Sequence, residues 1–168
     1  EKSRGVTCCG ALLLGGDCAR ILVDADACPL KAVITRLAKQ YKIAVVMVLD
    51  SSHIFSDGYS QVITVDTGRD SADYYLANLM RAGDIVVTQD YGVAAMALGR
   101  GARAINQDGL IYGADNMDRL LFERHLGQKV RRAGGRTRGV KKRTAEMDMR
   151  FEKALKEMLQ NNQEGMDK

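Results

Sequence analysis

Short apolar runs rich in β-branched residues alternate along this chain with longer amphipathic segments. The runs read RILVDAD, KIAVVMVL, QVITVD, DIVVTQD and ARAIN, and helix-sized stretches fill most of the intervals. Strands that alternate with helices build βαβ units, so the chain is expected to form an α/β fold in three layers: a mostly parallel sheet with helices on both faces. The second run has almost no polar residue, as suits a strand covered on both sides. At 168 residues the chain has material for one core and too little for two ordinary domains.

The first strand stops at Asp24, and a helix follows from about Pro29 to Tyr41, with Pro29 at its first position and Val33, Leu37 and Ala38 on one face. A polar loop, DSSHIFSDGYS, separates the second and third strands. The segment DSADYYLANLM then opens a helix with Asp70 as its cap and Asp73 three residues on. YGVAAMALGRG forms a helix ending at Gly99 or Gly101, DNMDRLLFERHL begins another, and TAEMDMRFEKALKEMLQ closes the fold as an amphipathic helix. The expected organisation is an extension over residues 1–19, one domain over 20–160, and a tail over 161–168.

Several function classes drop out. No apolar run approaches the roughly 20 residues needed to span a bilayer, so no membrane association is expected. The stretch Ala11 to Gly16 is too short and too broken by glycine for a secretory signal. Cys8, Cys9, Cys18 and Cys28 lack the spacing of a zinc site or a disulfide framework, and read as reduced thiols of a cytoplasmic protein. Charge is unevenly spread. From Lys129 to Arg143 there are eight basic residues and no acid; taking them from the 25 Lys and Arg leaves 17 against 21 Asp and Glu, so the net +4 divides into a basic arm and a body of −4.

Ligands of open parallel sheets bind beyond the carboxyl ends of the strands, where the winding order reverses. Asp24 ends the first strand, Asp26 follows two residues later, Asp90 ends the fourth, and Asp70 and Asp73 head the helix after the third. With strands ordered 3-2-1-4-5, Asp24 and Asp90 face each other across the reversal. Two carboxylates about 4 Å apart repel by roughly 4 kcal/mol at an effective dielectric of about 20, so such a group shares protons or holds a cation. Oxygen donors without thiolate or imidazole select Mg²⁺ or Mn²⁺. Such an ion would serve hydrolysis of a phosphodiester, with Asp24, Asp26, Asp73 and Asp90 as catalytic residues and Asp24, Asp73, Asp90 and Asp70 as metal ligands.

Taken singly, Asp70 and Asp73 read more readily as helix-cap and helix-dipole residues, and Asp26 as a turn residue. Asp24 and Asp90 differ, because an acid closing an apolar buried strand loses solvation for no structural return. Ser51, Ser52 and His53 are candidates to hold phosphate, or to form a hydrogen-bonded turn. Arg136, Arg138, Lys141 and Lys142 are candidates for a sequence-independent grip on nucleic acid, single-stranded RNA in particular, or a solvated loop. His125, among leucines on a helix, reads as structural, and Cys28 has no base near it to activate it.

In order along the chain, ILVDADACPLK, DSSH, VDTGRDSADYYLA, GDIVVTQDYGVAAMAL, Asp115 with Asn116, and GGRTRGVKKRT resemble the YaiI/YqxD family of bacterial proteins. The resemblance runs from about Arg20 to near Leu159 and implies a PIN-like fold, related to metal-dependent ribonucleases and flap-type nucleases. Asp24, Asp73 and Asp90 match the acidic motifs of that wider group. The sequence departs from the family at Val140, where proline is common, and before Arg20.

Two other readings stay open. DADAC resembles the nucleophile motif of haloacid-dehalogenase-type phosphatases, with Asp24 attacking phosphorus and Asp26 as acid and base, although Tyr91 follows Asp90 where those enzymes have a second acid. A non-catalytic RNA- or protein-binding module would use the basic arm alone.

Overall fold

The computed structural model of the chain describes residues 19–26, 28–52, 54–66, 71–134 and 142–166, with side chains at all but 71 and 163–166. Six strands form one sheet: β1 (Ile21–Asp24), β2 (Val45–Asp50), β3 (Gln61–Val65), β4 (Ile85–Val87), β5 (Arg103–Ile105) and β6 (Ile111–Tyr112). Their order is β3-β2-β1-β4-β5-β6, with every pair parallel except β5 and β6. The chain therefore winds outward from β1 through β2 to β3, then returns to the other side of β1 to lay down β4. The reversal falls between β1 and β4, as the sequence pattern predicts.

Alternation along each strand divides the core into two layers. Ile21 and Val23 of β1, Met47 and Leu49 of β2 and Ile85 and Val87 of β4 face α1 (Lys31–Tyr41) and α5 (Ala145–Met166), whose Ile34, Leu37, Phe151, Leu155 and Leu159 are fully buried. Leu22, Val46, Val48 and Val86 face the opposite way, toward α2 (Ser71–Leu79), α3 (Tyr91–Gly99) and α4 (Ala114–Arg132). Helices on both faces explain why the central strands are apolar throughout rather than alternating.

Several boundaries depart from the sequence reading. Pro29 is an exposed turn residue, and α1 begins two residues later behind Leu30. Lys42 belongs to the end of α1, closing it in the left-handed region at φ 56°, so β2 starts at Val45. The basic stretch is not wholly an arm, because Lys129, Arg131 and Arg132 form the last turn of α4. α5 continues beyond residue 160 to Met166.

The two-residue strand β6 is too short for any alternation to announce it. Its turn is fixed by Asn106, whose side-chain oxygen accepts from the amides of Asp108 and Leu110. Gly109 completes it at φ 85°, and a Cβ there would come within 2.7 Å of the Arg150 backbone, so α5 can approach only a glycine. No helix among the described residues is long and apolar enough to cross a membrane.

Candidate active site at the carboxyl edge of the sheet

β1 and β4 are neighbours, so their carboxyl ends deliver Asp24 and the Thr88–Gln89–Asp90 segment to the two sides of the reversal. Thr88 joins them. Its fully buried hydroxyl donates to Asp24 Oδ2 at 3.2 Å and accepts from the Asp90 amide at 3.0 Å. Asp90 then caps α3, with Oδ1 accepting from the amides of Gly92 at 2.6 Å and Val93 at 3.2 Å. A side chain at residue 92 would press on that cap, since a Cβ there would stand 2.9 Å from Asp90 Oδ1. The other carboxylate oxygen of Asp90 faces the Arg124 guanidinium of α4 at 3.4 Å. Arg124 in turn lies 5.8 Å over the Tyr91 ring, which meets Tyr112 edge to face.

Asp24 is the electrostatically unsettled member. Burial raises its pKa above the ordinary carboxylate value and the charges of Asp26 and Asp90 raise it further, while among the described residues the Thr88 hydroxyl works the other way. Asp84 makes the contrast. It is 2% exposed at the opposite edge of the sheet, yet its carboxylate is satisfied by the Arg20 guanidinium at 2.7 Å and by the amides of Arg20 and Arg81. The buried acid is locked into a structural ion pair; the half-buried one is held near like charges with the Thr88 hydroxyl as its donor among the described residues. A group in that state gains by taking up a proton or a cation.

The remaining predicted residues divide three ways. Asp26 stands half-buried beside Asp24, and its Oδ1 accepts from the Asp50 amide at 2.7 Å. Asp73 is half-buried in the first turn of α2, behind β3. Ser51 and Ser52 are exposed in the turn after β2, with the Ser52 amide bound to Asp50 Oδ1 at 2.7 Å, so the hydrogen-bonded-turn reading describes their backbone. Lys142 is exposed. Asp70, His53, Arg136, Arg138 and Lys141 lie outside the described residues. His125, expected to be packed among leucines, is exposed, because α4 buries only Met117 and Leu120.

Three residues at this edge escaped the sequence reading. Asp50 closes β2 as Asp24 closes β1, a signal available from the same rule. Thr88 is an uncharged residue two positions before Asp90, and Arg124 reaches Asp90 from a helix 34 residues away, a contact no local pattern encodes. Arg143, counted with the basic arm, folds back instead: it bonds Asp148 and donates to the Gln107 carbonyl at 2.8 Å.

Among the described residues no three His, Cys, Asp or Glu side chains gather as a ready-made cage for an ion. The donor set still fits a hard divalent cation. Mg²⁺ is commonly held by one or two carboxylates, with water and substrate phosphate completing its octahedron, and Asp24 with Asp90 supplies that number.

Comparison with known proteins adds the family. The chain is 62% identical over 146 residues to a UPF0178 protein of Ruminiclostridium cellulolyticum, covering 87% of this chain and 95% of the relative. It is 52% identical over 142 residues to a UPF0178 protein of Clostridium kluyveri, covering 84% and 93%. Among solved structures, Rae1 (YacP) from Bacillus subtilis aligns with a TM-score of 0.40 at 18% identity, over 85% of this chain and 98% of that one. Residues 22–161 match the family described as "Uncharacterized BCR, YaiI/YqxD family", and the chain belongs to it.

Proposed function

We propose that this protein is a metal-dependent phosphodiesterase that cleaves nucleic acid, single-stranded RNA foremost, at the edge where β1 and β4 end. The observation that carries the reading is the state of Asp24: half-buried near Asp26 and Asp90, with its charge raised in energy by burial and by both, and relieved among the described residues by the Thr88 hydroxyl. Mg²⁺ or Mn²⁺ would be held by Asp24 and Asp90, with Asp73 as the next ligand and Asp26 and Asp70 as outer members. Bound there, the ion supplies polarisation of a phosphate and acidification of a water.

The chain's own residues have distinct tasks. Thr88 fixes the rotamer of Asp24 through one bond and the start of α3 through the other, so the two carboxylates keep their spacing. The α3 amides hold Asp90 Oδ1, leaving Oδ2 as its outward oxygen. Arg124, now paired with that oxygen, is a cation within reach of a phosphate drawn to the site. Lys142, together with Arg136, Arg138 and Lys141, would offset the repulsion between the acids and the rest of a polyanion.

Thermal denaturation in the presence and absence of Mn²⁺ tests the reading. A ligand that binds only the folded protein stabilises it by mass action, so the unmutated chain should melt higher with Mn²⁺ and Asp24→Asn should lose that increment. Equal increments in both would remove Asp24 from the metal site, and no increment in either would count against the metal.

A further inference from the structure

The crossover between β2 and β3 departs from the others. Helices α1, α2 and α3 join β1 to β2, β3 to β4 and β4 to β5, whereas β2 and β3 are parallel neighbours joined by residues 51–60, none of which is helical among those described. An extended connection is thinner than a helix, so a cavity of about 490 Å³ opens between it and α1. Ala32, Thr35, Arg36 and Lys39 of α1 line one wall, and Phe55 and Asp57 of the connection line the other.

Asp57 is what keeps the far wall in shape. Burial pushes its pKa up, but the hydroxyls of Thr35 at 2.6 Å and Ser60 at 2.7 Å and the amides of Tyr59 and Ser60 outweigh this and hold it far below the ordinary range. Those four bonds occupy the carboxylate, so it acts as a pin for the loop. Two aromatic rings are pinned with it. Lys31 Nζ stands 5.3 Å from the Phe55 ring centre and Lys39 Nζ stands 5.5 Å from that of Tyr59. Arg36, between the lysines on the same helix, is paired with Glu152 of α5 at 2.7 Å. Lys31 to Lys39 covers about 12 Å of helix, which matches several bases stacked at about 3.4 Å each. α1 starts at the carboxyl edge, where Lys31 and Asp24 both act on the Cys28 thiol. The groove thus leads away from the aspartates.

We infer that this groove between α1 and the 51–60 connection is a binding track for single-stranded nucleic acid, with a base stacked on Phe55 and flanking phosphates on Lys31 and Lys39. The inference rests on the nucleic-acid reading of the substrate and gives that strand a path to the site. An aromatic face beside a row of cations is the sequence-tolerant means of gripping a single strand. Lys31 covers the Phe55 ring in the free protein; a base that takes its place leaves the ammonium beside the base's own phosphate.

The test is equilibrium binding of a short oligouridylate RNA by the full chain in EDTA, where cleavage cannot interfere. Phe55→Leu keeps an apolar side chain against the core but removes the flat ring, and should weaken binding about fivefold or more. An oligomer of the same length with abasic riboses should bind both proteins equally. Lys31→Gln with Lys39→Gln should flatten the slope of log affinity against log salt by roughly 0.7 per lysine, and serves as the independent variant if Phe55→Leu folds poorly. Unchanged affinity in both variants would overturn the track. So would uridine monophosphate binding as tightly as the oligomer, which would mark a small-nucleotide pocket. If RNA binding depends on Phe55 yet Mn²⁺ yields neither cleavage nor a thermal shift, the track stands and the nuclease reading falls. Metal-dependent cleavage that persists with unchanged affinity in both variants has the reverse meaning: the track falls and the nuclease reading stands.

Discussion

At the residue scale, the half-buried Asp24 and the buried Asp84 show that acids at two edges of one sheet can have opposite fates. Asp84 is compensated by Arg20 and reads as structure; Asp24 is not, and its raised pKa makes a prediction with a definite sign. A carboxylic acid whose folded pKa lies above its ordinary 3.8 binds more protons when folded than when unfolded, so its contribution to stability falls as pH rises from 3.8 through the folded value. Asp24→Asn removes that dependence. In chelator, the variant should equal or exceed the unmutated protein in stability near neutrality and lose that advantage in acid, as followed by urea denaturation across pH. Asp90 needs a different pair of substitutions, because it is both a cap and a candidate ligand. Asp90→Ala should cost about 1 kcal/mol through the lost cap, while Asp90→Asn keeps the cap and should melt near the unmutated protein in chelator. Loss of the Mn²⁺ increment in Asp90→Asn would then report on the metal alone.

At the scale of elements, the chain was legible wherever a segment was long enough for its periodicity to speak. Strands β1 to β5, the helices between them, the end of α1 at Tyr41 and the reversal next to β1 follow from apolar runs and their spacing. What stayed hidden had no periodicity of its own: the two-residue β6, the start of α1 at Lys31 and of β2 at Val45, and the projection of α4 into the basic stretch. The site divides the same way. Asp24 was visible as an acid ending an apolar strand, whereas Asp90, expected to end the fourth strand, lies three residues beyond β4 as the N-cap of α3, and Thr88 and Arg124 acquire meaning only once β1, β4 and α4 are assembled. α5 offers the sharpest energetic test of the fold, since it returns from the chain's end to cover one sheet face with the fully buried Phe151, Leu155 and Leu159. Leu155→Ala should cost about 2–5 kcal/mol in chemical denaturation, and a cost below about 1 kcal/mol would mean that α5 does not pack as described.

At the scale of the whole molecule, charge and topology agree. The sheet gathers Asp24, Asp26, Asp50 and Asp90 at one edge, and the excess of acid over the body is answered by the basic stretch from Lys129 to Arg143. An acidic edge alone would repel a polyanion; in the proposed function, cations on α1, on α4 and in the basic stretch would hold phosphates while the carboxylates are presented to a metal ion. The most direct test is hydrolysis of a short single-stranded RNA by the full chain, with Mn²⁺ or with chelator, for the unmutated protein and for Asp24→Asn. The expected result is cleavage that requires the metal and falls about a hundredfold or more in Asp24→Asn, as removal of a group that stabilises the transition state does. Cleavage that survives chelation, cleavage undiminished in Asp24→Asn, or intact RNA in the presence of metal would each contradict the proposal.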